Sequence, residues 1–276
     1  MEAALVKRTI PRTNESVAAV GLGTWQTFDV GAADYPLRSA VLRRFVELGG
    51  GLVDSSPMYG LAEEVVGELA NALHLQDRLF VATKVWTRGQ RLGTAQMEQS
   101  FAKLRVSQID LMQVHNLVDV ETHLSTLRQW KEQGRIRYIG ITHYIVDAHR
   151  ELELLVRRPE IDFVQFNYSL AVRDAERRLL PAAAEHGVAT LINRPFESGA
   201  MFHRTTRARL PRLAEPLGCR TWAELFLKYV ISHPAVTCVI PATANLQHLE
   251  QNMSAGHDPL PDAAMREEIA RAWDDS

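Results

Sequence analysis

The chain has 276 residues, of which 46% are hydrophobic and 23% are charged, and its formal net charge is −2. This composition is typical of a globular protein with a sizeable core, and the nearly balanced charge gives no general attraction for nucleic acid or anionic membranes. Because no segment approaches 18 uninterrupted apolar residues, no signal-peptide core is visible, and Cys219 and Cys238 cannot form a disulfide framework, we expect a cytoplasmic protein.

Short apolar runs rich in valine and isoleucine predict eight strands that are buried on both faces. They cover residues 17–23, 51–55, 79–85, 109–115, 136–142, 162–167, 188–193 and 236–240. Amphipathic stretches between them predict helices, among them 36–48, 62–73, 94–105, 121–132, 147–157, 174–186 and 221–232. Thr94 is expected to cap its helix, and Gly134 and Gly187 are expected to end theirs.

The alternation of strands and helices predicts a single domain over residues 1–276, folded as a (β/α)8 TIM barrel. The rival architecture is an open, doubly wound sheet, which normally carries a glycine-rich turn after its first strand. Here the first predicted strand leads into GLGTWQ, which lacks the third glycine of GxGxxG and is not followed by an apolar helix. The barrel is therefore favoured.

Polar residues lie at the C-terminal ends of three neighbouring predicted strands. Asp54, Lys84 and His115 each end such a strand, and Tyr59 lies in the loop after Asp54. Because the strands of a parallel barrel all end at one face, these four residues can converge there. Taken singly, each also has a structural explanation, such as a cap, a loop aromatic or a core histidine. Lys84 is the exception, because an unpaired buried ammonium is very costly, and Asp54 on the neighbouring strand would pair with it.

The chemistry that suits this set is hydride transfer to a carbonyl group. Reduction places negative charge on the carbonyl oxygen, and a nearby acid must deliver a proton. We predict that Tyr59 is this acid and that the Lys84 cation lowers its pKa from about 10. Asp54 would orient Lys84, and His115 would hydrogen-bond the carbonyl oxygen. Trp25, Phe28 and Trp86 are candidates for an apolar wall.

The sequence resembles the aldo-keto reductase family over nearly its whole length. The motifs that carry the resemblance occur in family order and are GLGTWQ, Asp54 with the following SSPMYG and AEEVVGE, TKVW, IDLMQVHN, GRIRYIGIT, VQFNYSL and VIPATANLQHLEQN. The resemblance implies a (β/α)8 barrel that reduces an aldehyde or ketone, or oxidises the alcohol, with NADP(H) or NAD(H) and no metal. It places the family's catalytic tetrad on Asp54, Tyr59, Lys84 and His115.

The same resemblance assigns cofactor and substrate contacts. The cofactor contacts fall on Gly23, Thr24, Asp54, Thr142, His143, Gln165, Asn193, Arg194, Thr243 and Asn252. The substrate contacts are expected at Trp25, Trp86 and His115.

Several of these positions depart from the family pattern. Thr142 and His143 stand for a serine and an asparagine, and Asn193 stands where a tyrosine stacks on nicotinamide. Ala242 and His248 stand where basic side chains hold the 2′-phosphate, so the preference between NADPH and NADH stays open. Arg194 and the basic stretch 202–212 are other candidates for binding phosphates, although a solvated loop is the simpler explanation for that stretch. Glu197 is expected to neutralise Arg194.

Three functions remain open at this stage. The favoured one is a nicotinamide-dependent oxidoreductase whose partner is a small carbonyl or alcohol substrate, with no nucleic acid or membrane. The second is a cofactor-independent lyase or isomerase that uses the same tetrad, motivated by the altered cofactor positions. The third is a non-catalytic binding module on the same barrel, against which the intact tetrad argues. No HExxH, P-loop or GxSxG pattern supports another chemistry.

Overall fold

The strands form a small hairpin and a closed barrel. The computed structural model describes residues 5–206 and 208–275. The antiparallel hairpin is made of β1 (Lys7–Thr9) and β2 (Ser16–Ala18). Eight parallel strands follow, each beside the next: β3 (Leu22–Gly23), β4 (Leu52–Asp54), β5 (Phe80–Val85), β6 (Ile109–His115), β7 (Ile136–Thr142), β8 (Phe163–Asn167), β9 (Ala189–Asn193) and β10 (Cys238–Val239).

The eight-stranded sheet closes on itself through backbone hydrogen bonds beside β3 and β10. The N–H groups of Gly21 and Gly23 donate to the carbonyl oxygens of Val239 and Pro241, at 2.8 and 3.1 Å. The N–H of Val239 donates back to the carbonyl of Ala19 at 2.9 Å. The predicted (β/α)8 barrel is therefore confirmed.

Helices connect the strands on the outside of the barrel. They are α1 (Tyr35–Glu47), α2 (Ala62–Ala72), α3 (Gln90–Leu104), α4 (Val120–Glu132), α5 (His149–Leu155), α6 (Leu179–Glu185), α7 (Ala200–Thr205), α8 (Trp222–Ile231), α9 (Leu246–Ser254) and α10 (Ala263–Asp274). The helix ends predicted at Gly134 and Gly187 are confirmed, since both glycines adopt a left-handed φ just after the helix. The predicted cap at Thr94 is wrong, because α3 begins at Gln90, after Gly89, and Thr94 lies inside it.

The first predicted strand, 17–23, divides between two elements. Its beginning lies in β2 and pairs with β1, and only its end forms β3. Ile10 and Val17, next to and within the hairpin, are buried in a cluster with side chains of the barrel interior such as Leu52 and Leu111. The hairpin thus covers the end of the barrel where the strands start. Residues 17–23 form one continuous apolar run, so the sequence pattern did not show that the hairpin ends and the first barrel strand begins within it.

The core has two layers. The larger cluster lies between the outer face of the sheet and the helices. The smaller fills the part of the barrel interior next to the strand starts, with Leu52, Phe80, Leu111, Tyr138, Phe163 and Leu191 among its members. In the part of the chain that the structure describes, no helix is both long and apolar enough to cross a membrane.

Candidate active site

The interior face of the barrel changes from apolar to polar along each strand. Side chains two residues apart on a strand point to the same face. Leu52 is therefore followed on the interior by Asp54, Ala82 by Lys84, Leu111 by Gln113 and His115, Phe163 by Gln165, and Leu191 by Asn193. The apolar members form the interior core, and the polar members gather at the strand ends, where the loops enclose them. This layering brings the predicted residues to one place.

Asp54 is the hub of the polar layer. Its Oδ2 accepts a hydrogen bond from Lys84 Nζ at 2.6 Å, and its Oδ1 accepts from Gln113 Nε2 at 3.0 Å and Gln165 Nε2 at 2.9 Å. The backbone is held as well, because Thr24 donates to the Asp54 carbonyl through both its N–H and its hydroxyl. These contacts hold the carboxylate in one orientation with three donors around it.

Lys84 is completely buried at the end of β5. Its ammonium donates to Asp54 and to the carbonyl of Ser55, at 2.6 Å each, and lies 5.0 Å from the centroid of the Tyr59 ring. Burial lowers the pKa of Lys84, but the charge of Asp54, the neighbouring Tyr59 and the hydrogen bonds to both outweigh it, so the pKa is raised. The ammonium is therefore charged at neutral pH.

The pKa of Tyr59 differs from the prediction. Lys84 does lower it, through its charge and a side-chain hydrogen bond, as expected. Burial of the phenol is the larger effect, however, and together with the negative charge of Asp54 it leaves the pKa raised above 10. The predicted lowering of the Tyr59 pKa was wrong, because burial destabilises the phenolate more than the positive charge of Lys84 stabilises it. Tyr59 is thus a protonated phenol at neutral pH.

His115 ends β6 and faces Tyr59. The two rings meet edge to face, with centroids 6.0 Å apart. Burial, the charge of Lys84 and the charge of His143 lower the pKa of His115 to about 2, so the imidazole is neutral. Its Nδ1 lies 3.2 Å from Ser56 Oγ, and its Nε2 has no hydrogen-bond partner among the described residues.

Two aromatic side chains stand at the rim of this site. Trp25, in the loop after β3, is 45% exposed, and Trp86, just after β5, is 42% exposed. The ring of Trp86 lies 6.5 Å from that of His115. Both positions suit the predicted wall beside a substrate. Phe28 does not contribute to such a wall, because it is completely buried in the outer core.

A chain of amides extends from Asp54 across the strand ends. Gln165 donates through Nε2 to Asp54 and to Gln113 Oε1, and its Oε1 accepts from Thr142 Oγ1 at 3.2 Å and Asn193 Nδ2 at 3.3 Å. The hydrogen-bonding capacity of Gln165 is therefore used within the protein. Asn193 Nδ2 also donates to the carbonyl of His143, but its Oδ1 is buried and has no partner among residues 5–206 and 208–275.

Unpartnered polar atoms beside this chain fit a nicotinamide dinucleotide. Asn193 Oδ1 can accept from a carboxamide N–H, and the buried Nε of Arg194, which also has no partner within the described residues, can donate to an anion. Arg194 is held at a φ of 52° and its guanidinium lies 5.7 Å from the Tyr144 ring centroid. The expected pairing of Glu197 with Arg194 is wrong, because Glu197 instead accepts from Ser169 Oγ at 2.8 Å.

The other predicted cofactor positions lie along the closing edge of the barrel. Gly23 bonds to Pro241 and Thr24 to Asp54, so both have a structural role there. Thr243 bonds to Asn245 in the turn before α9, and Asn252 is buried on that helix. Ala242 and His248 are exposed beside this turn. These positions therefore form a region of their own, next to the barrel closure.

The basic stretch 202–212 packs toward the C-terminal helix. Arg204 donates to the carbonyls of Trp273 and Asp274 and lies over the Trp273 ring, at 4.4 Å from its centroid. Arg207 lies outside the described residues. A separate open cleft of about 310 Å³ lies between α8 and α9, lined by Arg220, Gln247 and Gln251 among others.

Two residues of the site, Gln113 and Ser56, were not among those predicted from the sequence. Gln113 interrupts the apolar run IDLMQVH two residues before His115, and a polar side chain inside a strand that is otherwise buried was the signal for it. Ser56 comes directly after Ser55, and nothing in the sequence distinguished one serine from the other. Among the described residues, no group of three or more histidine, cysteine, aspartate or glutamate side chains is placed to hold a metal ion.

The chain is similar to known proteins over most of the barrel. The sequence model of the aldo/keto reductase family matches residues 19–272. The chain is 28% identical over 244 residues to methylglyoxal reductase YeaE of Escherichia coli, covering 86% of this chain and 84% of that protein. It is 27% identical to aldo-keto reductase YhdN of Bacillus subtilis, over 67% of this chain and 60% of that protein's length. The crystal structure of an aldo/keto reductase from Klebsiella pneumoniae with NADP and acetate superposes with a TM-score of 0.81 at 26% identity, covering 97% and 96% of the two chains.

Proposed function

This chain belongs to the aldo/keto reductase family, and from that premise we propose how its own residues reduce a carbonyl group with a nicotinamide cofactor. The observation that carries the proposal is the position of Lys84. A completely buried ammonium is anchored by Asp54 and lies 5.0 Å from the Tyr59 ring centroid, at the end of the barrel where the parallel strands finish. A fixed cation beside a phenol is an arrangement for acid catalysis.

In the proposed reaction, Tyr59 is the general acid. When bound, NADPH or NADH would be the source of the hydride that the carbonyl carbon accepts. The phenol of Tyr59 donates its proton to the carbonyl oxygen, on which negative charge develops. Lys84 stabilises the phenolate that remains, because its positive charge and hydrogen bond favour the ionised form of Tyr59. Asp54 keeps Lys84 charged and in place.

His115 is proposed to orient the substrate. It is neutral, and its Nε2 has no hydrogen-bond partner in the part of the chain that the structure describes, so it can donate a hydrogen bond to the same oxygen without competing as an acid. Trp25 and Trp86 would shield the reacting atoms from water and contact the apolar part of the substrate. The favoured substrate is a small aldehyde or ketone.

The cofactor is proposed to lie against the amide chain. Asn193 and Arg194 would bind it through atoms that have no partner among the described residues. Gln165 and the carbonyl of His143 hold Asn193 in position, and Thr142 in turn donates to Gln165. As the family resemblance implies, Gly23 and Thr24 would contact the cofactor from the first loop, and Asn252 would lie near the adenine. Asp54 and Thr243 are the other proposed cofactor contacts. We infer a cytoplasmic location, which the two free and buried cysteines, Cys219 and Cys238, support.

The experiment that tests the function is a fluorescence titration of the purified protein with NADPH and NADH, followed by turnover of methylglyoxal. We expect binding of at least one dinucleotide at micromolar concentration and consumption of the reduced form. The variant Tyr59→Phe should bind the dinucleotide as the wild type does but fail to turn over. If neither dinucleotide binds at millimolar concentration, the hydride-transfer proposal fails. A lyase, an isomerase or a binding module would then be the better description.

A further inference from the structure

Ser56 is a completely buried serine in the loop after β4, next to the proposed site. Its Oγ accepts a hydrogen bond from the N–H of Met58, at 3.4 Å, and lies 3.2 Å from His115 Nδ1. The preceding residue, Ser55, is buried too, but its Oγ lies 3.0 Å from Thr24 Oγ1 and makes no hydrogen bond with His115. The two serines therefore have different partners although they are adjacent in the sequence.

Ser56 is the donor and His115 Nδ1 the acceptor in the hydrogen bond between them, because the hydroxyl proton of Ser56 has no other acceptor among the described residues. The Met58 N–H donates to the Ser56 oxygen, so the hydroxyl proton must find its acceptor elsewhere. Within the described residues, His115 Nδ1 is the only acceptor within hydrogen-bond distance, and a buried hydroxyl without an acceptor is costly. A neutral imidazole carries one ring proton. If Nδ1 accepts from Ser56, that ring proton is on Nε2.

We propose that Ser56 is a positioning residue, which holds His115 in the tautomer with the proton on Nε2 and so makes Nε2–H the donor to the substrate carbonyl oxygen. This inference rests on the proposed function. The edge-to-face contact of the His115 and Tyr59 rings places the two donors side by side, and Nε2 has no competing partner in the described part of the chain. The opposite tautomer would present a lone pair to the carbonyl oxygen and repel it.

The first test is long-range ¹H–¹⁵N NMR of the full-length protein labelled with ¹⁵N-histidine, which distinguishes protonated from unprotonated ring nitrogens. His115→Gln assigns the signals of His115 among the ten histidines of the chain. We expect Nε2 to be protonated and Nδ1 unprotonated in the wild type. In Ser56→Ala both nitrogen signals should shift as the tautomers exchange, whereas Ser55→Ala, the matched loss of a buried hydroxyl, should leave them unchanged. A wild-type proton on Nδ1, or unchanged signals in Ser56→Ala, would overturn the proposal.

The second test is steady-state kinetics of NADPH-dependent reduction. Loss of one neutral hydrogen bond corresponds to about a three- to tenfold change, so Ser56→Ala should lower kcat/KM by about that factor. Because Ser56 acts through His115, the double variant Ser56→Ala/His115→Gln should be no slower than His115→Gln alone. Additive losses would show a structural role and overturn the proposal. If the wild type reduces no carbonyl compound, the proposed function fails, and the NMR measurement still decides the tautomer.

Discussion

The Lys84 ammonium lies 2.6 Å from the Asp54 carboxylate, and the exposed fractions of the two side chains are 0% and 4%. Burying two charges in this way costs hydration that their attraction only partly returns, so such pairs seldom add net stability. The relationship therefore matters chiefly for position. The ion pair holds a cation beside Tyr59. Variants that remove one or both partners should therefore separate the effect on stability from the effect on activity.

Lys84→Met should abolish turnover and destabilise the fold. Asp54 would keep the amide donors of Gln113 and Gln165 but lose its counter-ion, and breaking a buried pair typically costs about 3–5 kcal/mol. We expect the free energy of unfolding, measured with urea, to decrease by an amount near the lower end of this range. The double variant Asp54→Asn/Lys84→Met, which leaves no unpaired charge, should recover part of the free energy of unfolding and none of the activity. Equal stability of the single and double variants would contradict the buried-charge explanation.

Tyr59→Phe should lower kcat by at least about 100-fold and leave dinucleotide affinity and unfolding free energy nearly unchanged, because it removes only the transferred proton. Tyr35→Phe is the matched control. Tyr35 lies on the outer helix α1 and donates to Glu68, so its loss should leave turnover unchanged. A decrease of less than tenfold in Tyr59→Phe would exclude Tyr59 as the acid.

The pH dependence of kcat should reflect a tyrosine with a raised pKa and a histidine that does not titrate. Tyr59 works in its protonated form during reduction, so the rate should stay level through neutral pH and fall only as pH rises through a value above 10. Oxidation of the alcohol needs the phenolate and should accelerate with rising pH. Because the pKa of His115 is lowered to about 2, no change is expected near 6.5. A limb between pH 6 and 7 that disappears in His115→Gln would contradict this assignment.

The preference for NADPH over NADH should be less than about tenfold. Ala242 offers no charge to a 2′-phosphate, and position 248 carries an exposed histidine where an arginine or a lysine would place a permanent cation. His248→Arg should strengthen NADPH binding by about 10- to 100-fold and leave NADH binding unchanged, since a charge-assisted bond contributes about 1.5–3 kcal/mol. Gln247→Arg, which adds the same charge at the neighbouring position of α9, should have a smaller effect. A wild type that already prefers NADPH a hundredfold would mean that another cation, such as Arg194 or Arg220, binds the phosphate.

The barrel and the convergence of Asp54, Lys84 and His115 could be predicted from the amino-acid sequence alone. Runs of buried valine and isoleucine predicted the strands β4 to β9 to within one residue at either end, because burial on both faces leaves a strong local pattern. Once parallel strands alternate with helices, geometry places every strand end at one face, and residues at those ends must meet there.

The details that depend on several elements at once could be seen only in the folded protein. The run 17–23 is divided because its first part belongs to the hairpin that covers the end of the barrel where the strands start. The burial of Phe28 depends on packing against other parts of the chain. The raised pKa of Tyr59 is a balance between lost hydration and the charge of Lys84. The choice of Ser56 over Ser55 as the partner of His115 depends on backbone geometry. Such balances are set by side-chain distances across the fold, which a linear pattern does not contain.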